Sequence, residues 1–141
     1  MATLYAAVLA MVMAGISILI HFEALSLLNA IVRQIKSQRG SVLCIMSGLL
    51  LAHVVEIWLY GGAYALLERT TMLGGLINDN AAVTWIDTVY FSAMVYTTVG
   101  FGDIIPIGPI RLIAGTEALV GLSLITWSAS FAFIQMQKLW R

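Results

Sequence analysis

The sequence predicts an all-α membrane protein with three transmembrane helices. Of its 141 residues, 61% are hydrophobic and only 10% are charged, and the mean hydropathy is +0.97. A soluble domain usually carries about 25% charged residues, so this composition cannot cover a globular surface exposed to water. A bilayer core about 30 Å thick needs about 20 helical residues for each crossing, and three apolar stretches are long enough to meet that requirement.

The three apolar stretches are separated by polar segments of different length. The first runs from about Thr3 to Val32, the second covers about 42–67, and the third covers about 109–137. Trp58 and Trp140 lie near helix ends, where aromatic side chains are typical of the membrane interface. No β-barrel alternation is present, so each stretch is interpreted as one helix crossing the bilayer.

The distribution of positive charge predicts the topology. Five of the seven Lys and Arg residues lie on one side of the three crossings: Arg33, Lys36, Arg39, Lys138 and Arg141. The positive-inside rule makes that side cytoplasmic. We therefore expect the N-terminus outside and the C-terminus in the cytoplasm, with His21 and Glu23 near the inner membrane interface.

The long segment between the second and third stretches is expected to lie outside and to be acidic. Four of the seven acidic residues belong to it, namely Glu68, Asp79, Asp87 and Asp103, against one positive charge, Arg69. A negatively charged mouth raises the local concentration of cations. Its first part, 70–82, contains Gly and Asn pairs that predict turns at 74–75 and 78–80.

A short helix is predicted in the second part of this segment. Thr84 and Asp87 fit a capping box, in which a Thr hydroxyl and an acid three residues later satisfy free backbone amides. The helix predicted over 85–97 spans only about 20 Å, which is too short to cross a bilayer. Non-helical backbone at membrane depth must be buried in protein or line a water-filled cavity, so the residues after Thr97 are expected to line a pathway.

The residues that follow this helix carry a resemblance to a known family. Residues 98–103 read Thr-Val-Gly-Phe-Gly-Asp, and this string resembles the T-x-G-[YF]-G-D filter of the potassium-channel pore family. The resemblance extends from about Trp85 to Phe133 and, more loosely, over the second stretch as the outer helix. The first stretch lies outside the two-helix pore pattern of that family.

The resemblance implies the domain organisation and the assembly. One pore loop cannot enclose an axis, so the fold expected is a homotetramer with a re-entrant pore helix in each subunit. Residues 1–40 would form an extra transmembrane helix and a cytoplasmic turn, and residues 41–141 a pore domain. The parts of that domain would be an outer helix over about 42–67, a pore helix over about 85–97, a filter over 98–103 and an inner helix over about 109–137.

The resemblance also implies the ion ligands. Potassium ions would be bound by the backbone carbonyls of Thr98, Val99, Gly100 and Phe101, with the Thr98 hydroxyl as an additional ligand. Glycine adopts backbone angles that side-chained residues resist, so Gly100 and Gly102 would allow successive carbonyls to face the same way. Val99 and Phe101 would point away from the axis and brace the filter. Phe101 replaces the Tyr of many relatives and lacks its bracing hydroxyl.

Several residues are candidates for supporting roles. Asp103 is either tethered by Tyr90 on the pore helix or solvated. Glu117 either accepts hydrogen bonds from Ser or Thr hydroxyls behind the filter, holding its shape, or is a protonated or locally paired carboxyl without a part in conduction. Gly121 is either a hinge or a close-packing site, and packing is favoured there and at Gly115.

Other polar residues of the membrane helices leave alternatives open. His53 and Glu56 are three residues apart and share a helix face, so a mutual or interhelical polar contact is expected and a pH-sensing role is the alternative. Hydroxyl side chains of the third stretch either wet an inner cavity or bond back to their own helix. They are Ser123, Thr126, Ser128 and Ser130.

The sequence therefore predicts a potassium-selective channel that needs no cofactor and catalyses no covalent reaction, with potassium as the permeant ion. The alternatives are a poorly selective cation channel of the same fold and a non-conducting accessory subunit. The single Cys44 excludes an internal disulfide, a transition-metal site is not expected, and the zero net charge gives no case for nucleic acid. The expected partners are the lipid bilayer and three further copies, in a prokaryotic inner membrane. The gating stimulus and the purpose of the first helix cannot be read from the residues.

Overall fold

A computed structural model describes residues 1–70, 72–78 and 82–140. Four helices and two short strands follow one another in these ranges: α1 (Ala2–Val32), α2 (Gln38–Glu68), β1 (Gly75–Asn78), α3 (Trp85–Tyr96), β2 (Ile104–Ile107) and α4 (Ile110–Leu139). Two charges used in the topology and charge arguments, Asp79 and Arg141, lie outside the described residues, as does most of the turn predicted at 78–80.

Within the described ranges, three helices are long and apolar enough to span a membrane: α1, α2 and residues Ile110–Lys138 of α4. Helices α1 and α2 have 31 residues each, or about 47 Å at 1.5 Å per residue, which exceeds the hydrocarbon thickness of a bilayer. Helix α3 has 12 residues and is too short to cross. The predicted class, an all-α membrane protein with three crossings, is therefore confirmed.

The first helix packs against both α2 and α4. Small side chains at its buried positions, Ala6 and Ala10, let the neighbouring backbones approach closely. They join a hydrophobic core that includes Tyr60 and Tyr64 of α2 and Phe91 of α3. The inward face of α2 repeats every three or four residues, as expected for a helix with one protein-facing side.

Helix α3 begins at Trp85, as the capping motif predicted. The Thr84 hydroxyl accepts a hydrogen bond from the Asp87 amide at 3.4 Å, and the Asp87 carboxylate accepts from the Thr84 amide at 2.8 Å. Both halves of the capping box are present. The hydrogen bonds that Asp87 accepts from the side chain and backbone of Thr84 lower the pKa of its carboxyl, because they favour the ionised form.

The two strands form a β-ladder that the sequence did not predict, since only turns were expected before residue 82. Strand β1 pairs antiparallel with β2, with Gly75 opposite Ile107 and Asn78 opposite Ile104. Gly74 has a φ of +87°, and a Cβ atom there would lie 1.8 Å from the Ile107 carbonyl oxygen. Four-residue strands show too little alternation to be read from sequence. The ladder fastens the start of the outer segment to the residues that lead into α4.

Candidate functional site

The residues that follow α3 have an unusual backbone. Thr98, Gly100 and Gly102 have φ angles of +59°, +56° and +82°, whereas Val99 and Phe101 do not have positive φ. In a β-strand, successive residues face opposite sides; left-handed angles at alternate residues break that pattern and allow successive carbonyls to turn to the same side. The angles expected at the two glycines are confirmed. The left-handed Thr98 was not anticipated, and it stores about 1–2 kcal/mol of backbone strain.

Backbone hydrogen bonds tie the start of this segment to the end of α3. The Thr98 amide donates to the Val95 carbonyl at 2.9 Å, and the Gly100 amide donates to the Met94 carbonyl at 3.2 Å. The Thr97 hydroxyl donates to the Ala93 carbonyl at 2.6 Å. The last turn of the helix therefore fixes where the segment starts and which way it leaves.

A side-chain contact joins the far end of the segment to α3. The Tyr90 hydroxyl hydrogen-bonds to the Asp103 carboxylate, and this bond together with the negative charge raises the pKa of the Tyr90 phenol. This contact favours the tethered alternative for Asp103, which is also exposed to solvent. Phe101 and Asp103 also line a pocket with Tyr90 and Met94 of α3. The Phe101 ring therefore lies beside α3.

Glu117 of α4 is fully buried. Its Oε1 accepts a hydrogen bond from the Ser92 hydroxyl of α3 at 2.5 Å, and its Oε2 accepts one from the Tyr64 hydroxyl of α2 at 2.5 Å. A serine donor was among the sequence expectations, whereas Tyr64 was not. The carboxyl therefore joins three elements at one point.

Glu56 of α2 is the centre of a second buried polar cluster. Its Oε1 lies 2.9 Å from Nδ1 of His21 and its Oε2 lies 3.3 Å from Nδ1 of His53. The Tyr96 hydroxyl, at the end of α3, donates to Oε2. The contact expected between His53 and Glu56 is confirmed. The interfacial position expected for His21 is wrong, because its ring is completely buried against α2.

A family model described as "ion channel" matches residues 52–138. The match starts within α2 and includes α3, the segment 98–103 and nearly all of α4. The chain belongs to this ion channel family. The match is consistent with the potassium-channel resemblance, and α1 lies outside it. Searches of curated proteins and of solved structures find no match.

Helix α4 packs closely against the end of α3. A Cβ atom at Gly121 would lie 2.1 Å from the Tyr96 carbonyl oxygen, so a larger residue cannot be accommodated without movement. This contact supports the packing interpretation of Gly121. At Gly115 nothing in the single chain lies within 4 Å of a Cβ atom, so the packing expected there stays a prediction.

The hydroxyl side chains of α4 divide into two groups. Ser123, Thr126 and Ser130 donate to the carbonyls four residues earlier at 2.8, 2.8 and 3.1 Å, which is the back-bonding alternative, and all three are exposed in the single chain. Ser128 is buried, and its Oγ lies 3.1 Å from Nε2 of His21 and 3.0 Å from Nε2 of His53. Ser128 therefore connects α4 to the Glu56 cluster.

The polar residues missed at the sequence level share a recognisable signal. Ser92 and Tyr96 are four residues apart on the otherwise apolar α3, and Tyr64 follows Glu56 by eight residues on α2. Spacings of four and eight place polar groups on one helix face, and two such faces in neighbouring helices are candidates to meet. Which faces meet cannot be read from spacing alone, because it depends on how the helices pack.

The cytoplasmic ends proposed from the charges lie on the same side of the channel subunit. Trp140 lines a pocket with Arg39, and the Gln135 amide donates to Asn29 Oδ1 at 2.9 Å. The end of α4 therefore lies beside the connection between α1 and α2. This is the arrangement that three crossings require.

Proposed function

We propose that this channel conducts potassium selectively through a filter formed by residues 98–103 of four identical subunits. The observation that carries the proposal is the alternation of left-handed residues at Thr98, Gly100 and Gly102, directly after a capped helix too short to cross the membrane. Rings of backbone carbonyls can replace the hydration shell of a potassium ion. The ligands would be the carbonyls of residues 98 to 101 and the Thr98 hydroxyl.

The exposure of two side chains supports the tetramer. Val99 is 53% exposed and Phe101 is 72% exposed in the single chain, although the filter proposal requires both to brace a rigid backbone. Neighbouring subunits would supply the missing contacts. The back-bonded hydroxyls of Ser123 and Thr126 would then face a water-filled cavity shared by the four inner helices.

Two side-chain contacts would hold the filter in shape. The Tyr90 tether fixes Asp103 at the outer end, and Glu117 fixes the middle of α3 through Ser92. Gly121 lets α4 approach the carbonyl end of α3, where the negative end of the helix dipole lies. This end would face ions that wait below the filter.

The charge distribution supports a cell-membrane location with the N-terminus outside and the C-terminus in the cytoplasm, in a prokaryotic inner membrane. The described acids of the outer segment are engaged in hydrogen bonds: Glu68 accepts from the Leu76 amide at 2.5 Å, Asp87 belongs to the capping box, and Asp103 is tethered. Their charges would still attract cations to the mouth. The channel would need no cofactor and would carry out no covalent chemistry.

A planar bilayer containing the purified protein tests the proposal. Under opposing potassium and sodium gradients, we expect a reversal potential that follows potassium, because the carbonyl rings select for that ion. A reversal potential midway between the equilibrium potentials of potassium and sodium would favour the poorly selective channel. Absence of current from a folded tetramer would favour the accessory subunit, and a monomer or dimer in lipid would contradict the filter altogether.

The substitution Gly100→Ala provides the matching mutational test. Alanine resists a φ of +56°, so we expect the current to disappear while the protein still assembles. Gly62→Ala is the control, since Gly62 lies in α2 without positive φ and nothing lies within 4 Å of a Cβ atom there. Full conduction by Gly100→Ala would refute the assignment of the filter.

A further inference from the structure

The buried polar cluster around Glu56 contains more close contacts between polar atoms than it has protons to form hydrogen bonds. Two imidazoles, a carboxyl, a phenol and a hydroxyl come from four helices: His21 of α1, His53 and Glu56 of α2, Tyr96 of α3 and Ser128 of α4. The side chains of His21 and Glu56 have no solvent-exposed surface, and that of His53 is 16% exposed. At such positions an unsatisfied polar atom is costly.

The position of Ser128 restricts the protons on the two rings. Its Oγ lies 3.1 Å and 3.0 Å from the Nε2 atoms of His21 and His53, but a serine hydroxyl has one proton to donate. At least one imidazole must therefore carry its own proton on Nε2. If that imidazole is neutral, its Nδ1 has no proton.

This unprotonated Nδ1 would face oxygen atoms. The Nδ1 atoms of the two rings lie 2.9 Å and 3.3 Å from the two Glu56 oxygens, and Nδ1 of His53 also lies 2.9 Å from the Tyr96 hydroxyl. The phenol proton is already used in the bond to Glu56. If Glu56 is ionised and both imidazoles are neutral, one contact between a ring Nδ1 and an oxygen therefore has no proton between its two atoms. A cation bound between these atoms would remove the repulsion of their lone pairs.

We propose that His21, His53 and Glu56 form a binding site for a divalent transition-metal ion of the zinc type, with the Tyr96 oxygen as a fourth ligand. One donor atom from each of the first three residues lies within 4.8 Å of the others. Two imidazole nitrogens and a carboxylate oxygen are a common zinc ligand set. Zinc bonds of 2.0–2.1 Å place neighbouring tetrahedral ligands about 3.3 Å apart, close to the distances of 2.9 and 3.3 Å found here.

The outer shell of this site is already formed. When a metal occupies both Nδ1 atoms, both rings carry a proton on Nε2, and the two lone pairs of Ser128 Oγ accept both hydrogen bonds. A ligating histidine almost always donates its second ring N–H in this way, which fixes the tautomer and the ring orientation. The metal would join α1 to α2 and to the last residue of α3, two positions before Thr98.

Metal binding by the purified full-length protein tests the site. The chain contains only two histidines, so the protein must be prepared without a histidine tag. After treatment with a chelator, titration with Co²⁺ should give one ion per chain and a visible ligand-field absorption band, and Zn²⁺ should displace it. His21→Ala and His53→Ala should each abolish the band, and Ser128→Ala should weaken binding about 10- to 100-fold.

Glu23→Gln is the matched control, because Glu23 is an exposed carboxylate only two residues from His21; its binding should equal that of the unchanged protein. A folded, unchanged protein that binds no Co²⁺ would overturn the proposal. So would a band that persists in both histidine variants, or pH-dependent histidine NMR signals with no response to metal, which would identify the cluster as a site for protonation only.

Discussion

Glu56 and Glu117 each bring together residues from three or more segments of the chain. A carboxylate accepts several hydrogen bonds, and in the low dielectric of a membrane protein each bond is strong and each missing partner is costly. Glu117 accepts from Ser92 and Tyr64, so one side chain determines where α3 lies between α2 and α4. Both carboxyls accept hydrogen bonds from α3, the helix that leads into residues 98–103.

Glu117→Leu should destabilise the protein by about 1–3 kcal/mol, because the buried Tyr64 hydroxyl loses its partner, whereas the Ser92 hydroxyl can still donate to the Ile57 carbonyl at 2.8 Å. Glu117→Gln should be milder, because its amide oxygen still accepts one bond and its NH₂ group can donate to the other hydroxyl. Denaturant unfolding of the protein in detergent measures the difference. Glu23→Leu is the control at an exposed site, where a change within about 0.5 kcal/mol is expected. Equal effects of both leucine variants would contradict this role of Glu117.

Single residues were predictable where chemistry and local sequence suffice. The capping pair Thr84 and Asp87 and the left-handed glycines follow from residue type and spacing. For Glu117, only the type of donor, a hydroxyl, could be expected and not the residue Ser92. The burial of His21 does not, since its partner Glu56 is 35 residues away and the pairing depends on the rotation of α1 about its axis. A polar residue near a helix end was interpreted as interfacial for lack of that information.

The stability of helix α3 depends on the capping box at its first turn. Thr84→Ala removes the hydroxyl that accepts from the Asp87 amide and should lower stability by about 0.5–2 kcal/mol, whereas Thr84→Ser should keep most of it. The effect should also depend on pH. The pKa of Asp87 is lowered from its ordinary 3.8, so its contribution is present above that pH and is lost as the pH falls through the lowered value.

Unfolding measured at neutral pH and at pH values below 3.8 tests this dependence. The difference in the free energy of unfolding between the unchanged protein and Thr84→Ala should shrink in acid, because a protonated Asp87 accepts weaker hydrogen bonds in the capping box. A difference that stays constant across this range would show that the Asp87 carboxylate is not coupled to the Thr84 hydroxyl.

The contact between α4 and α3 gives a second test at the level of elements. Gly121→Ala places a methyl group against the Tyr96 carbonyl oxygen, at 2.1 Å before any movement, and overpacking of this kind costs about 1–3 kcal/mol. Gly115→Ala on the same helix meets nothing within 4 Å and should leave the stability of the protein equal or slightly higher, because alanine is the better helix former. Thermal unfolding of the two variants provides the comparison. Equal midpoints would rule out close packing as the reason for a glycine at position 121.

The elements themselves were largely visible in the sequence, with one exception. Apolar length indicates α1, α2 and α4, and the capping motif indicates the start of α3. The β-ladder between β1 and β2 was missed because its pairing joins residues about 30 positions apart through only four residues on each side. The tertiary pairing, rather than the local propensity of the strands, stabilises it.

At the scale of the whole molecule, the single chain leaves large apolar side chains exposed on every spanning helix. Leu4 and Leu19 of α1, Leu50 of α2 and Leu119 of α4 are each more than 60% exposed. In the proposed tetramer, lipid and neighbouring subunits would cover these surfaces. The number of crossings follows from composition, but which apolar face meets lipid and which meets another subunit cannot be read from it, since both environments favour the same side chains.

The position of the buried carboxyls along the chain has a consequence for biosynthesis. The ribosome makes the protein from the N-terminus, and a carboxyl that enters the membrane alone is costly. His21 and His53 precede Glu56 in the chain, and Tyr64 and Ser92 precede Glu117. Glu117 is therefore translated after both of these hydrogen-bonding partners, and Glu56 after its two imidazoles but before Tyr96, so each acid enters the membrane with a partner already made.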